Sequence, residues 1–273
     1  MGGGARGLAH VGVLQVLDDA GLVPGVIAGT SMGAIVGALY ASGMTPWEIA
    51  NLAVSFPYGR FIDRKLLSRR PQTMQRSFQQ MMLGTSADRV LRSLGIDRKD
   101  RVEVVLGRIV GGLRIEDLSI PFVCNAVDIV NGRGVVFTRG PLRKALRATI
   151  AFPLVFDPAR NRDRLFVDGG VLDNVPIELA RNLGAGKVVG PDIHKPIRGV
   201  PASSIRNIFQ LLSRTSTIVL TRATEGRIQQ ADLVYRVPVE VATFDFSRTR
   251  AIIDKGRNAT ERNLAAIRRL VKS

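Results

Sequence analysis

The chain reads as an α/β domain with a mainly parallel central sheet and helices on both faces, a reading that rests on three observations. Short apolar runs alternate along the sequence with longer stretches of helical periodicity. The run Val26-Ile27-Ala28 breaks at Gly29 and resumes as an apolar helix pattern from Ala34, which reads as strand, sharp turn, helix. The stretch from Ala20 to Trp47 carries no charge at all, as buried elements of an α/β core commonly do not. With 273 residues and 45% hydrophobic content, the chain can bury a large core as one unit, so residues 1–273 are read as a single domain.

In chain order, Gly2 to Gly7 form a glycine loop that runs directly into a helix from Leu8 to Ala20, with Val11, Leu14, Val16 and Leu17 apolar and Gly21 as its stop. Glycine permits close backbone approach, so the N–H groups of Gly3, Gly4 and Ala5 are candidates for an oxyanion hole. Arg6 has two readings, one that pins this loop through a carboxylate or a carbonyl and one that leaves it solvated. Next, Gly29-Thr30-Ser31-Met32-Gly33 fits the G-x-S-x-G nucleophile elbow. Its serine sits at the N-terminus of the following helix, where free N–H groups, including that of Met32, favour developing negative charge.

Ala20–Trp47 is long enough to be weighed as a membrane span. Pro24, the repeated glycines and Thr30-Ser31 instead break it into strand, elbow and helix. Gly33 and Gly37 then let that helix approach the sheet. Thr45-Pro46-Trp47-Glu48 predicts a helix start, with Thr45 as N-cap, Pro46 at N1 and Glu48 closing a capping box. Residues 58–112 are basic and helix-prone. Arg60, Arg64, Lys65, Arg69, Arg70 and Arg76 predict a solvated face, and Met74, Phe78, Met81, Met82 and Leu83 among them raise a lid or interfacial surface as an alternative.

Ile120–Val127 and Gly134–Phe137 read as two strands joined through an Asn131-Gly132 turn. Pro141–Ile150 predicts a short basic helix. Leu165–Val167 is a strand ending at Asp168, and Gly169-Gly170 allow a tight turn that aims Asp168 at Ser31. Asp173 has a capping role available before the helix Pro176–Leu183, which Asp168 lacks. A strand at Lys187–Val189, a helix at 203–225, a strand at Leu233–Val237 and a basic final helix at 248–271 complete the pattern.

Three motifs, taken in order, resemble the patatin-like phospholipase family: Gly2-Gly3-Gly4-Ala5-Arg6-Gly7, the elbow around Ser31, and Asp168-Gly169-Gly170. Ala151-Phe152-Pro153-Leu154-Val155-Phe156-Asp157-Pro158 matches the A-x-P-x-x-F-x-P stretch common before the aspartate. The resemblance runs from Gly2 to about Asp192. It implies a patatin-like fold and a Ser-Asp dyad without histidine, with Ser31 as nucleophile and Asp168 as general base and acid. The implied activity is acyl-ester hydrolysis on lipids, of phospholipase, lysophospholipase or esterase type, with neither cofactor nor metal. The family also has an apolar strand immediately before its glycines. Here Met1 precedes Gly2, so the expectation is that the chain starts inside the natural fold and that an upstream apolar run of about 4 to 8 residues completes it.

The remaining residues test these readings. A Ser-His-Asp triad needs a histidine, and there are two, His10 and His194. His10 lies one turn beyond the glycine loop and reads as a local packing residue; His194 follows a strand end and stays open. Gly2, Gly4 and Gly7 also match the dinucleotide fingerprint G-x-G-x-x-G, but the required acidic residue about 20 positions on is missing. The single cysteine, Cys124, excludes an internal disulfide and reads as a small core residue. No signal peptide is visible, and the location expected is the cytoplasm or a membrane periphery.

A net charge of +16 predicts attraction to a polyanion, taken as an anionic membrane surface that presents the lipid ester. Two alternatives stay open. One is a lipid-binding module of the same fold with little turnover. The other, nucleic-acid binding, is raised by charge alone and supported by no motif.

Overall fold

The computed structural model describes residues 1–60, 101–153, 155–194, 196–206 and 208–272. At its centre lies β2 (Phe122–Asp128), in which every residue is buried. β3 (Arg133–Phe137) runs antiparallel along one edge, paired with Cys124–Asp128. The other edge is shared. β1 (Ile27–Gly29) pairs in parallel with Phe122–Cys124, and β5 (Arg164–Asp168) pairs antiparallel with Ala126–Asp128. The two strands therefore run towards each other along β2, and their C-terminal ends face one another across Asn125. β4 (Ala159–Asn161) extends the sheet beyond β5, again antiparallel. A second, parallel sheet contains β6 (Val189–Asp192) and β7 (Leu233–Arg236).

The α/β class holds, but the expectation of a mainly parallel sheet does not describe these pairings. Short connections account for two of the three antiparallel pairs, β2–β3 and β4–β5, because strands joined by a few residues can only return antiparallel. The β2–β3 link turns at Gly132, with φ 67°, while the Asp128 carboxylate accepts from Val130 N–H at 3.0 Å and Asn131 Nδ2 at 2.7 Å. β4 and β5 are joined by Arg162-Asp163 alone, with Arg162 at φ 53°. This strand-turn segment carries neither an apolar run nor a glycine, so periodicity misses β4.

Eight helices are described: α1 (Ala9–Asp19), α2 (Met32–Ala41), α3 (Pro46–Ser55), α4 (Arg101–Val110), α5 (Leu142–Thr149), α6 (Ile177–Asn182), α7 (Ile208–Ile228) and α8 (Thr249–Lys272). α1 stops where Gly21 takes φ 69° and Leu22 N–H reaches back to the Leu17 carbonyl at 2.8 Å. α3 has the expected capping box: Thr45 Oγ1 accepts from Glu48 N–H at 3.2 Å, and Glu48 Oε2 accepts from Thr45 N–H at 2.8 Å.

α1 and α8 cross at paired glycines. A Cβ on Gly12 would enter the Ile253 carbonyl, and one on Gly256 the Ala9 carbonyl. Gly37 does the same for α2 on β1, since a Cβ there would lie 2.7 Å from Ile27 Cγ2.

The uncharged stretch from Ala20 resolves into β1, α2 and the start of α3. Among the described residues no helix is long and apolar enough to cross a membrane. Cys124 is fully buried, and burial pushes its thiol pKa up. The lid reading of Met74, Phe78, Met81, Met82 and Leu83, with the arginine cluster from Arg64 to Arg76, falls outside the described residues. Within 58–112, α4 is helical and a 3-10 turn spans Tyr58–Arg60.

Candidate active site

Where β1 and β5 converge, Ser31 occupies the turn between β1 and α2 with φ 53° and ψ −127°. A non-glycine residue in this region costs about 1–3 kcal/mol and persists only where its surroundings fix it. Those surroundings are specific. Ser31 N–H donates to Thr149 Oγ1 at 3.0 Å, on a threonine with no exposure. Thr30 Oγ1 donates to Asn125 Oδ1 at 2.9 Å, and Asn125 Nδ2 donates to the Asp173 carbonyl at 2.7 Å. Gly29 is required for contact rather than for torsion: a Cβ would lie 2.5 Å from Ala34 Cα and drive β1 off α2. Gly33 faces the Met1 carbonyl at similarly close range.

Asp168 ends β5 and is 3% exposed. Its N–H donates to the Ala151 carbonyl at 3.0 Å, so the Ala151–Pro158 stretch, of which Leu154 lies outside the described residues, tethers the aspartate. Its carboxylate accepts from Gly170 N–H at 2.8 Å and from the Ser31 hydroxyl. Burial raises its pKa from 3.8 to about 6, against the opposing pull of those two hydrogen bonds. Gly169 packs on Asn125, where any side chain would enter the amide. One asparagine in the middle of β2 thus supports both the elbow and the turn after Asp168. Asp173, by contrast, accepts from Val175 N–H at 3.1 Å and pairs with Arg227 at 3.2 Å, the structural role its position before α6 predicts.

The glycine loop passes beside the elbow as a 3-10 turn, Gly4–Leu8. Gly7 packs on Met32, where a Cβ would lie 2.6 Å from Met32 Cβ, and Gly2 packs on Asn174 and Ser31. Gly4, at φ 56°, is pressed against the Thr243 carbonyl. Ala5 corrects the set of oxyanion donors, because its N–H donates to the Thr243 carbonyl at 2.7 Å and has no capacity left for substrate. The N–H groups of Gly3, Gly4 and Met32 have no acceptor among the described residues. Of the two readings of Arg6 the pinning one holds, with Nη1 donating to the Val241 carbonyl at 3.3 Å.

Neither histidine is hydrogen-bonded to Ser31 among the described residues. His10 Nε2 meets the Met1 carbonyl at 3.1 Å. His194 lies in the cavity wall, but its Nδ1 is bound to Asp192 and its Nε2 lies 3.8 Å from Glu225. No group of three His, Cys, Asp or Glu among the described residues is arranged to hold a metal.

Ser31, Asp168, Gly3, Gly4 and Met32 all border one cavity of about 570 Å³. One wall is apolar, formed by α3 through Ile49, Leu52 and Ala53 and by α4 through Val102, Leu106 and Ile109. Asn125 and Thr149 escape motif reading because they support the site from behind. A polar residue inside the apolar run Phe122–Val127 was the available signal for the first; nothing local marks the second.

The sequence profile of patatin-like phospholipases matches residues 1–181. An uncharacterised NTE family protein of Mycobacterium bovis is 31% identical over 254 residues, 93% of this chain and 58% of that protein. The chain thus spans a little over half the length of this relative. A Caenorhabditis elegans patatin-like phospholipase domain-containing protein is 32% identical over 70% of this chain and 13% of its own length. Lysophospholipase NTE1 of Phaeosphaeria nodorum is 28% identical over 70% of this chain and 11% of its own. Among solved structures, VipD from Legionella pneumophila aligns with a TM-score of 0.47 at 14% identity, over 97% of this chain and 66% of that one. With the family profile covering about two thirds of the sequence and all three motifs, the chain belongs to the patatin-like phospholipase family.

Proposed function

We propose that the chain hydrolyses carboxylic esters of lipids through an acyl-serine intermediate, with Ser31 as nucleophile and Asp168 as proton carrier. The observation that carries this reading is the hydrogen bond from the strained Ser31 to a buried carboxylate, at the edge of a cavity with an apolar wall. Ser31 Oγ attacks the ester carbonyl carbon while Asp168 takes the hydroxyl proton. The oxygen that becomes negative is received by the N–H groups of Gly3, Gly4 and Met32, the last at the positive end of α2. Collapse of this intermediate breaks the ester C–O bond, and the leaving alcohol takes the proton from Asp168. Water then attacks the acyl-serine, Asp168 accepts its proton, and release of the fatty acid returns that proton to Ser31. The apolar wall of α3 and α4 receives the acyl chain.

Ser31→Ala is expected to lower ester turnover by about 10³-fold or more, and a fluorophosphonate to label Ser31 and no other residue. Turnover retained in Ser31→Ala, measured on a chromogenic ester with purified protein, overturns the assignment.

A further inference from the structure

The part of the cavity wall that α7 supplies has a different chemistry. α7 places Arg214, Thr217, Thr221 and Thr224 along it, at spacings of three, four and three residues that fall on one helix face. Thr224 stands nearest Ser31, since its hydroxyl is 3.4 Å from Asn174 Nδ2, and Asn174 packs on Gly2 and Gly170. Arg214 lies ten residues away, about 15 Å along the helix. Beside it, Arg198 also borders the cavity, and Arg214 Nη2 donates to the Arg198 carbonyl at 2.7 Å.

The charges on this cavity are unbalanced. Among the described residues bordering it, Arg6, Arg198 and Arg214 face a single carboxylate, Asp168. Arg198 is paired with Glu240 at 2.6 Å, outside the cavity. Arg214 has no carboxylate partner among the described residues, and a carbonyl acceptor neutralises no charge. Deeper in, Arg6 Nε is buried without a hydrogen-bond acceptor.

Resting on the acyl-hydrolase reading, we propose that this wall is a headgroup subsite and that the preferred substrate is a net-anionic glycerophospholipid. The carbonyl at Ser31 sends its acyl chain to α3 and α4 and its glycerol to Thr224 and Thr221. The phosphate then meets Arg214, whose guanidinium fork suits phosphate oxygens. The Thr221 hydroxyl meets the glycerol, the Thr224 hydroxyl being held by its donation to the Leu220 carbonyl at 2.8 Å, and the surplus positive charge disfavours a quaternary ammonium headgroup.

The test compares kcat/KM for three monoacyl esters of one short chain, used below their micelle concentrations at fixed ionic strength: lysophosphatidylglycerol, lysophosphatidylcholine and monoacylglycerol. The wild type is expected to favour the first over both others by about tenfold, the scale of one charge-assisted hydrogen-bond pair. Arg214→Ala is expected to erase most of that ratio and Arg214→Lys to restore some of it. Arg262→Ala, which removes a charge from exposed α8 away from the cavity, is expected to leave the ratio intact. Equal ratios in Arg214→Ala, Arg262→Ala and wild type overturn the subsite, as does a wild type that prefers the choline lipid. If Ser31→Ala hydrolyses all three esters at the wild-type rate, the acyl-hydrolase reading has failed instead, whatever the ratios.

Discussion

Asp168 shows how one residue's environment is set for chemistry at the expense of stability. Burial raises its pKa to about 6, so the carboxylate is a stronger base than an exposed aspartate and still ionised at neutral pH. The rate constant kcat/KM is expected to rise through an apparent pKa of about 6 and level off above it. The same shift acts on folding. Because the native state binds this proton more tightly than the unfolded chain, the contribution of Asp168 is most favourable below pH 4 and is lost as pH rises through about 6. A shift of about two units corresponds to roughly 3 kcal/mol at pH 8. Asp168→Asn keeps an oxygen for the Gly170 N–H and removes the charge. Its expected outcome is a loss of 10²-fold or more in turnover, together with a higher melting temperature at pH 8. That stability gain is expected to vanish towards pH 4. Thermal melts across this range settle the matter, and an Asn variant less stable than wild type at pH 8 contradicts the argument.

At the scale of elements, contact between backbones decides where glycine is required. Gly256 in α8 meets α1 at the Ala9 carbonyl, whereas Gly226 in α7 has open space around its Cα. Replacing either with alanine gains about 1 kcal/mol of helix propensity. At Gly226 nothing opposes this gain, so Gly226→Ala is expected to stabilise by about 0.5–1 kcal/mol. At Gly256 the added methyl must push α8 away from α1, an overpacking cost of about 3 kcal/mol that exceeds the gain. Gly256→Ala is therefore expected to destabilise by about 2 kcal/mol, measured by urea denaturation at neutral pH. Helices were legible in the sequence because their signals are local: Gly21 stops α1, and Thr45 with Glu48 starts α3. Strand direction was less so. β5 was expected to end at Asp168 and does, but it runs antiparallel to β2, a pairing between segments far apart in the chain that no local signal marks. Asp168 reaches Ser31 because β1 and β5 share an edge of β2, which is a fact of pairing and not of periodicity.

For the whole molecule, the glycine loop, elbow and aspartate turn were legible because each is contiguous and each needs particular residues at particular backbone positions. What joins them was not: Asn125 and Thr149 lie 94 and 118 residues beyond Ser31 in the chain, and their roles arise only on folding. The charge is legible in a different sense, since +16 describes the entire surface and selects no site on it. A substrate that lies in a membrane gives that charge a use. Anionic vesicles are expected to concentrate the protein at the surface, since each basic residue near it contributes about 1 kcal/mol. Exposed charges are screened beyond about 10 Å at 0.1 M salt and beyond about 3 Å at 1 M. Vesicle cosedimentation is therefore expected to show strong binding to phosphatidylglycerol vesicles at low salt, and at least a tenfold weaker affinity once the salt is raised to 0.5 M. Phosphatidylcholine vesicles are expected to bind weakly at every salt. Arg214→Ala separates this effect from the headgroup subsite, because removing one of 39 basic residues barely alters surface attraction while it alters headgroup choice in the cavity. Equal binding to neutral and anionic vesicles at low salt removes the surface-charge argument and leaves the cavity to account for any lipid preference on its own.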